Sequence, residues 1–150
     1  MLRTLLLVVV VCCVFAFGCD CPSRADPKEK FCKSDVVGVF KVVKGFEHLN
    51  GLRITYVSLA SRVFKNKNDG THPNSITFIV TNSQSTACGV TWLKEGEEYL
   101  LNGSYDHAKR TLDVSTCGQI APTEWQKVPA DIKKALEEGS YAPCPSPKQN

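Results

Sequence analysis

The chain opens with a continuous apolar stretch that differs from everything after it. Arg3 precedes Leu5–Phe17, and Ala16 and Gly18 place small residues at the −3 and −1 positions of a signal-peptidase site. A positively charged start, a short apolar segment and small residues at the cleavage site are typical of a secretory signal. The stretch is shorter than the ~20 residues that a spanning helix needs. We therefore expect residues 1–18 to be a signal peptide rather than a membrane anchor, and the secreted chain to start at Cys19.

Beyond Cys19 the apolar positions mostly follow the period of two that indicates β-strands. Asp35–Lys44 is rich in valine, which predicts a strand covered on both faces, and the segment from Gly45 to Gly51 interrupts it. Leu52–Phe64 predicts a second, longer strand. Ser75–Asn82 alternates, so that one face carries Ile76, Phe78 and Val80, and the other carries Thr77, Ile79 and Thr81.

Two further strands are predicted at Glu98–Leu101 and Arg110–Cys117, with Gly103 to His107 as the hairpin connection between them. The polar segment Asn66–Gly70 is typical of a loop. Together these elements predict a mainly β chain with five or six strands, in a small antiparallel barrel of the Greek-key type.

Two helices complete the pattern. Asp26 followed by Pro27 predicts the start of a short helix, since aspartate caps helices and proline is tolerated at the first helical position. Pro129–Glu138 predicts a longer one, with Ile132 and Leu136 on one face and Gly139 as its C-terminal cap. Phe31, Trp92 and Trp125 are expected to pack in the core rather than to bind a partner.

Composition limits the partners more than it identifies them. The 150 residues suffice for one domain, and the hydrophobic fraction of 43% can supply its core. The 18 basic and 15 acidic residues are dispersed, so no nucleic-acid-binding surface is indicated. After the apolar start, no segment is long and apolar enough to predict a membrane anchor.

Six cysteines remain once residues 1–18 are removed: Cys19, Cys21, Cys32, Cys88, Cys117 and Cys144. An even number in a secreted chain predicts three disulfides, although six cysteines allow 15 pairings. Zinc is the competing use of cysteine, but zinc sites favour compact CxxC-type pairs, which are missing here. The three histidines are scattered without ligand spacing, so no metal or other cofactor of the chain's own is expected.

No catalytic motif is visible in the sequence. It has no GxSxG, HExxH, phosphate loop or glycine-rich nucleotide fingerprint. Paired cysteines also leave no thiolate nucleophile. A binding or inhibitory module is therefore expected rather than an enzyme.

Several short motifs make the prediction more specific. The chain has Cys-x-Cys at the expected mature N-terminus, then Phe31–Val37, Ala87-Cys88-Gly89, Thr116-Cys117 and Ile120-Ala121-Pro122 in this order. Together they resemble the N-terminal inhibitory domain of the tissue inhibitors of metalloproteinases, within the netrin-like superfamily. The resemblance extends from Cys19 to Cys144 and suggests a single-domain form, with residues 145–150 as a tail.

The resemblance implies a five-stranded OB-like barrel with flanking helices and selects one of the 15 cysteine pairings. The implied disulfides are Cys19–Cys88, Cys21–Cys117 and Cys32–Cys144. It also implies a mechanism, in which the α-amine and backbone carbonyl of Cys19 bind the catalytic zinc of a target protease. Zinc would then be contacted only in that partner, a secreted or membrane-anchored zinc metalloproteinase, and the inhibitor would act as an extracellular monomer.

By the same resemblance, the residue after the first cysteine enters the S1′ pocket of the protease. Family members usually have threonine or serine there, whereas this chain has Asp20. A carboxylate in an apolar pocket loses hydration and approaches the glutamate of HExxH, so we expect weaker inhibition or altered specificity. The implied protease-contact ridge comprises Cys21, Pro22, Ser23, Ser85, Thr86, Ala87 and Cys88.

Two alternatives remain open on the sequence alone. The first is a netrin-like extracellular binding module, directed to a receptor, a matrix component or a host protein, that inhibits no protease, because a fold does not determine a function. The second concerns Asn102-Gly103-Ser104, an N-x-[ST] sequon. Asn102 is a glycosylation candidate, and an unused sequon at a tight strand end is the competing interpretation.

Overall fold

The computed structural model describes residues 18–21 and 25–145, except for the side chain of Asn68. The predicted signal peptide, up to residue 17, and the tail from residue 146 lie outside these residues. In the part of the chain that is described, no helix has the length and apolarity to cross a membrane.

The first helix, α1, spans Pro27–Lys33, as its capping signal predicts. The Asp26 side chain accepts a hydrogen bond from the Glu29 backbone N–H at 2.9 Å, which satisfies one of the unpaired donors of the first turn. The helix ends where Ser34 adopts an extended conformation and its N–H donates to the Lys30 carbonyl.

Five strands follow and close into a barrel in the order β1-β2-β3-β5-β4. They are β1 Val36–Glu47, β2 Arg53–Asn66, β3 Ile76–Asn82, β4 Glu98–Asp106 and β5 Thr111–Asp113. The predicted OB-like Greek-key barrel with flanking helices is therefore confirmed. The prediction of a wholly antiparallel barrel is wrong in one place. The pair β3 and β5, which completes the barrel, is parallel.

Two connections were predicted to begin at glycines, at Gly45 and at Gly103, and both predictions are wrong because these glycines lie inside strands. Gly45 pairs with Tyr56 within β1 and β2, where a Cβ would stand 3.1 Å from the Tyr56 ring. Gly103 lies within β4, where a Cβ would stand 2.1 Å from the Asp113 carbonyl oxygen. Both glycines permit close packing rather than a turn, and β4 continues to Asp106 before the chain turns.

The barrel interior holds the main core. Buried apolar side chains from all five strands meet there, among them Phe40, Tyr56, Ile79, Tyr99, Leu101 and Leu112. In β3 the inward face is the one with Thr77, Ile79 and Thr81, and Ile76 and Phe78 point outward with exposed fractions of 67% and 43%. The buried Thr81 hydroxyl accepts a hydrogen bond from the Val90 N–H at 2.9 Å, so this polar group is satisfied.

A second cluster lies outside the barrel wall, beneath α1 and a second helix, α2, Ala130–Glu137. Buried residues of this layer include Phe31, Val37, Leu100, Ile132 and Leu136. Phe31 is buried as expected, and the half-buried Trp92 and Trp125 pack against the inner and outer clusters respectively. The disulfide Cys32–Cys144 ties α1 to the end of the described chain in this layer.

Candidate functional site: the N-terminal ridge

Two disulfides hold the N-terminal segment against the barrel. Cys19 is bonded to Cys88 with a Cα–Cα distance of 4.9 Å, and Cys21 to Cys117 with 5.3 Å. Together with Cys32–Cys144, these are the three pairs that the family resemblance implies. The two N-terminal disulfides lie side by side, so each end of the Cys19–Cys21 tripeptide is attached to a different loop.

The loop that carries Cys88 is a single turn of 3₁₀ helix, Ser85–Ala87. All three residues are exposed, and the half-buried Cys88 follows in the left-handed conformation with φ of 58°. The N–H groups of Ala87 and Gly89 both donate to the Gln84 carbonyl, and that of Cys88 donates to the Ser85 carbonyl. The turn thus presents an exposed ridge beside Cys19.

Gly89 and Thr116 attach this turn to the barrel. A Cβ on Gly89 would lie 2.1 Å from the Asn82 carbonyl oxygen, so only glycine fits there. Thr116 donates its N–H to the Cys88 carbonyl and its hydroxyl to the Gly89 carbonyl, both at 2.9 Å. Because Thr116 precedes Cys117, the loops that hold the two disulfides are also bonded to each other.

A buried polar network supports the Cys117 loop from below. The Asn102 carboxamide donates to the Ser34 hydroxyl and the Gly118 carbonyl, both at 2.8 Å, and accepts from the Ile120 N–H at 2.9 Å. The Gln119 side chain donates to the Asn102 carbonyl and accepts from the Asn102 N–H. The sequence did not predict that Asn102 and Gln119 support this loop, because isolated polar residues add nothing to the periodic hydrophobic pattern.

The same network affects whether Asn102, the acceptor of the sequon, can carry a glycan. The Asn102 side chain is 2% exposed, and both of its N–H donors point at protein acceptors. A glycan on this nitrogen would remove a donor and require space that the packed interior does not have. The folded structure therefore argues against a glycan at Asn102 and favours the alternative, an unused sequon.

The structure brings most of the predicted site residues together. Cys19, Asp20 and Cys21 form one exposed or half-exposed strip, with Ser85, Thr86, Ala87 and Cys88 beside it through the Cys19–Cys88 bond. Pro22 and Ser23, also predicted for the ridge, lie outside the described residues. Gly18 is exposed, and a Cβ placed on it would meet nothing within 4 Å, so the Gly18–Cys19 junction lies at the surface.

The sulfur atoms of Cys19, Cys88 and Cys117 lie within 4.8 Å of one another. This proximity resembles a metal cluster, but all three atoms belong to disulfides. Zinc binds cysteine as the thiolate, so these sulfurs are not available as ligands. They form a covalent support for the ridge.

Shifted titrating groups lie away from the ridge. Burial lowers the pKa of Lys65, whose ammonium donates at 3.0 Å to the Phe31 and Cys32 carbonyls at the end of α1. Burial raises the pKa values of Tyr56 and Tyr141. A hydrogen bond from Lys109 lowers the pKa of the partly exposed Asp106 carboxyl. Each of these shifts has a structural cause in burial or in a hydrogen bond.

Comparison with known proteins agrees with this architecture. The family model described as tissue inhibitor of metalloproteinase matches residues 17–146, nearly the whole chain. The chain belongs to the tissue inhibitors of metalloproteinases. Its closed barrel, two helices and three disulfides form the netrin-like domain of that family. A comparison with curated proteins gives no significant match.

The tissue inhibitors of metalloproteinases are inhibitors rather than enzymes, and metalloproteinases are the general class of partner of this family. Members of this family are secreted proteins, and three disulfides fit an extracellular protein.

Proposed function

We propose that this chain is a secreted inhibitor of zinc metalloproteinases, that cleavage after Gly18 releases it, and that residues 19–144 form its inhibitory domain. It acts as a monomer, without a cofactor of its own, and binds the protease zinc through the amine and carbonyl of Cys19. The observation that carries the proposal is the attachment of Cys19 to the exposed ridge through Cys88, in a chain that matches the inhibitor family.

The chemistry of the zinc explains why a chain terminus is suited to this task. A catalytic zinc has three protein ligands and an open position that holds water. The amine and carbonyl of a terminal residue form a five-membered chelate and displace that water. An α-amine has a reference pKa of about 7.7–8.0, so it loses its proton to a metal at little cost near neutral pH.

The two adjacent disulfides explain how the terminus is held in place. Binding a flexible tail would cost conformational entropy, about 1–2 kcal/mol for each residue ordered. Cys19 and Cys21 are already attached on both sides of Asp20, so the chelating atoms of Cys19 are ordered before the protease is met. Such preorganisation converts directly into affinity.

Asp20 determines which proteases are inhibited well. Asp20 is exposed between the two anchored cysteines, where a bound protease would meet it. Opposite the glutamate of HExxH, a carboxylate costs several kcal/mol. Proteases with an ordinary apolar S1′ pocket are therefore poor targets, and a pocket with a basic side chain is favoured.

A binding module without protease inhibition is the second candidate. One observation favours it besides Asp20, namely an apolar outer face on β2 and β3, where Leu59 pairs with Ile76 and Val57 pairs with Phe78. Ile76 and Phe78 are substantially exposed, and contiguous exposed apolar surface marks interaction sites. This face would serve an extracellular protein partner.

The test is inhibition of a panel of zinc metalloproteinases by protein whose N-terminus has been verified as Cys19. Intact mass establishes beforehand that residues 1–18 are removed and that three disulfides are formed. The proposal expects at least one protease to be inhibited, preferably one with a basic S1′ pocket. Failure across the panel would leave the binding module as the function.

A further inference from the structure

The last residue of β3 reaches across to the ridge. The Asn82 side-chain nitrogen Nδ2 donates a hydrogen bond at 2.8 Å to the carbonyl of Ala87, the residue directly before Cys88. Asn82 itself is held in the barrel wall, where it pairs with Arg53 of β2. A rigid strand is thus connected by one side chain to the peptide group that precedes the disulfide.

That peptide group is in a conformation that needs support. Cys88 has φ of 58°, in the left-handed region that is unfavourable for a non-glycine residue because its Cβ crowds the following carbonyl oxygen. The N–H groups of Ala87, Cys88 and Gly89 donate only within this loop, to the carbonyls of Gln84 and Ser85. The Cys88 carbonyl accepts from the Thr116 N–H, which joins it to the Cys117 loop and not to β3. The Asn82 carboxamide instead ties the Ala87 carbonyl to the sheet.

The neighbouring residue fixes the other side of the segment. The Ser83 N–H donates at 3.1 Å to the Leu52 carbonyl, and its hydroxyl donates at 2.5 Å to the Gly51 carbonyl. Both acceptors lie in the turn between β1 and β2. The base of the ridge loop is therefore anchored independently of Asn82, and removing the Asn82 side chain should loosen the turn and leave its base in place.

We infer that Asn82 is a positioning residue of the inhibitory ridge, an inference that rests on the function proposed above. Its carboxamide orients the Ala87–Cys88 peptide, and through the disulfide it sets the position of Cys19. Loss of this one hydrogen bond would let the zinc-binding atoms move relative to the barrel. Binding to the protease would then have to order the zinc-binding atoms of Cys19, and this ordering would reduce the affinity.

Two variants test the inference. Asn82→Ala removes the donor, and the isosteric Asn82→Asp places a carboxylate against the Ala87 carbonyl. The matched control is Ser75→Ala at the opposite end of β3, which likewise removes a side-chain donor from a backbone carbonyl, that of His72 at 2.6 Å. All three proteins are compared with the wild type, each with Cys19 as its verified N-terminus.

The first readout is amide hydrogen exchange, which needs no protease. In both Asn82 variants the Cys88 and Gly89 amides should exchange faster, while the barrel amide of Ile79 keeps its wild-type rate. The second readout is the inhibition constant, which should rise about tenfold in Asn82→Ala, as expected for one lost hydrogen bond, and further in Asn82→Asp. Ser75→Ala should change neither readout.

Unchanged exchange at Cys88 and Gly89 would overturn the inference, and so would faster exchange without any change in inhibition. Equal acceleration at Ile79 would show a merely structural role and would overturn it as well. If the wild type inhibits no protease, the proposed function fails instead, and the exchange rates still decide whether Asn82 holds the turn.

Discussion

The Sγ atom of Cys19 lies 3.3 Å from the Sγ atom of Cys117, although Cys19 is bonded to Cys88 and Cys117 to Cys21. The two disulfides are therefore in van der Waals contact and form one support for the N-terminal tripeptide. Thr116 strengthens this support, because its N–H and hydroxyl bond the Cys88 loop. The site is best understood as the tripeptide Cys19–Cys21 held by two loops that are joined to each other.

Asp20→Thr should convert the chain into a stronger inhibitor of proteases with apolar S1′ pockets. Removing the carboxylate ends both its desolvation and its repulsion by the catalytic glutamate, so we expect an improvement of about a hundredfold in the inhibition constant. The control is Glu138→Gln, which removes an exposed carboxylate at the end of α2 and changes the net charge equally. Equal inhibition by Asp20→Thr and the wild type would show that this residue does not select the target.

Removing the Cys32–Cys144 disulfide should lower the stability of the fold and leave the inhibition constant nearly unchanged. Cys32→Ala combined with Cys144→Ala opens a loop with a sequence separation of 112, and should lower the free energy of unfolding by about 2–5 kcal/mol. The bond lies in the outer helical layer, so the inhibition constant should change by less than about threefold at a temperature where the variant is folded. Urea unfolding and inhibition assays measure the two effects, and a large loss of inhibition in the folded variant would contradict this separation.

Asn102→Ala should destabilise the fold by about 1–3 kcal/mol, because the half-buried Gly118 carbonyl and the buried Ile120 N–H lose their partner. Ser104→Ala is the matched control, since it abolishes the sequon without touching these bonds and should change stability by less than about 0.5 kcal/mol. Wild type and Ser104→Ala secreted from eukaryotic cells should both lack a glycan by intact mass. A glycan on the wild type that Ser104→Ala removes would refute the unused-sequon interpretation.

The fold was predictable where local chemistry decides it. Asp26 and Pro27 predict the start of α1, and the spacing of Ile132 and Leu136 predicts α2. Gly45 and Gly103 misled the prediction, because the sequence cannot distinguish a glycine in a turn from one that makes room for a neighbour such as Tyr56. The parallel pairing of β3 with β5 is a long-range contact and has no local signal.

The candidate site was predictable only in part, and for a similar reason. The cysteine spacing permitted 15 pairings, and family resemblance was needed to choose among them. The left-handed Cys88 and the bond from Asn82 to Ala87 arise from tertiary packing, which periodicity does not report. The exposed Asp20, by contrast, was identified from sequence because it departs from the residue types of its family.

The most direct test of zinc binding by Cys19 is to add one alanine before it and to measure inhibition of the protease that the wild type inhibits best. The extension converts the α-amine into an amide, which cannot serve as the metal ligand, and leaves the disulfides in place. Inhibition should weaken by at least about a hundredfold, or roughly 2.8 kcal/mol, while the unfolding temperature is unchanged. Undiminished inhibition by the extended protein would contradict chelation by the Cys19 amine.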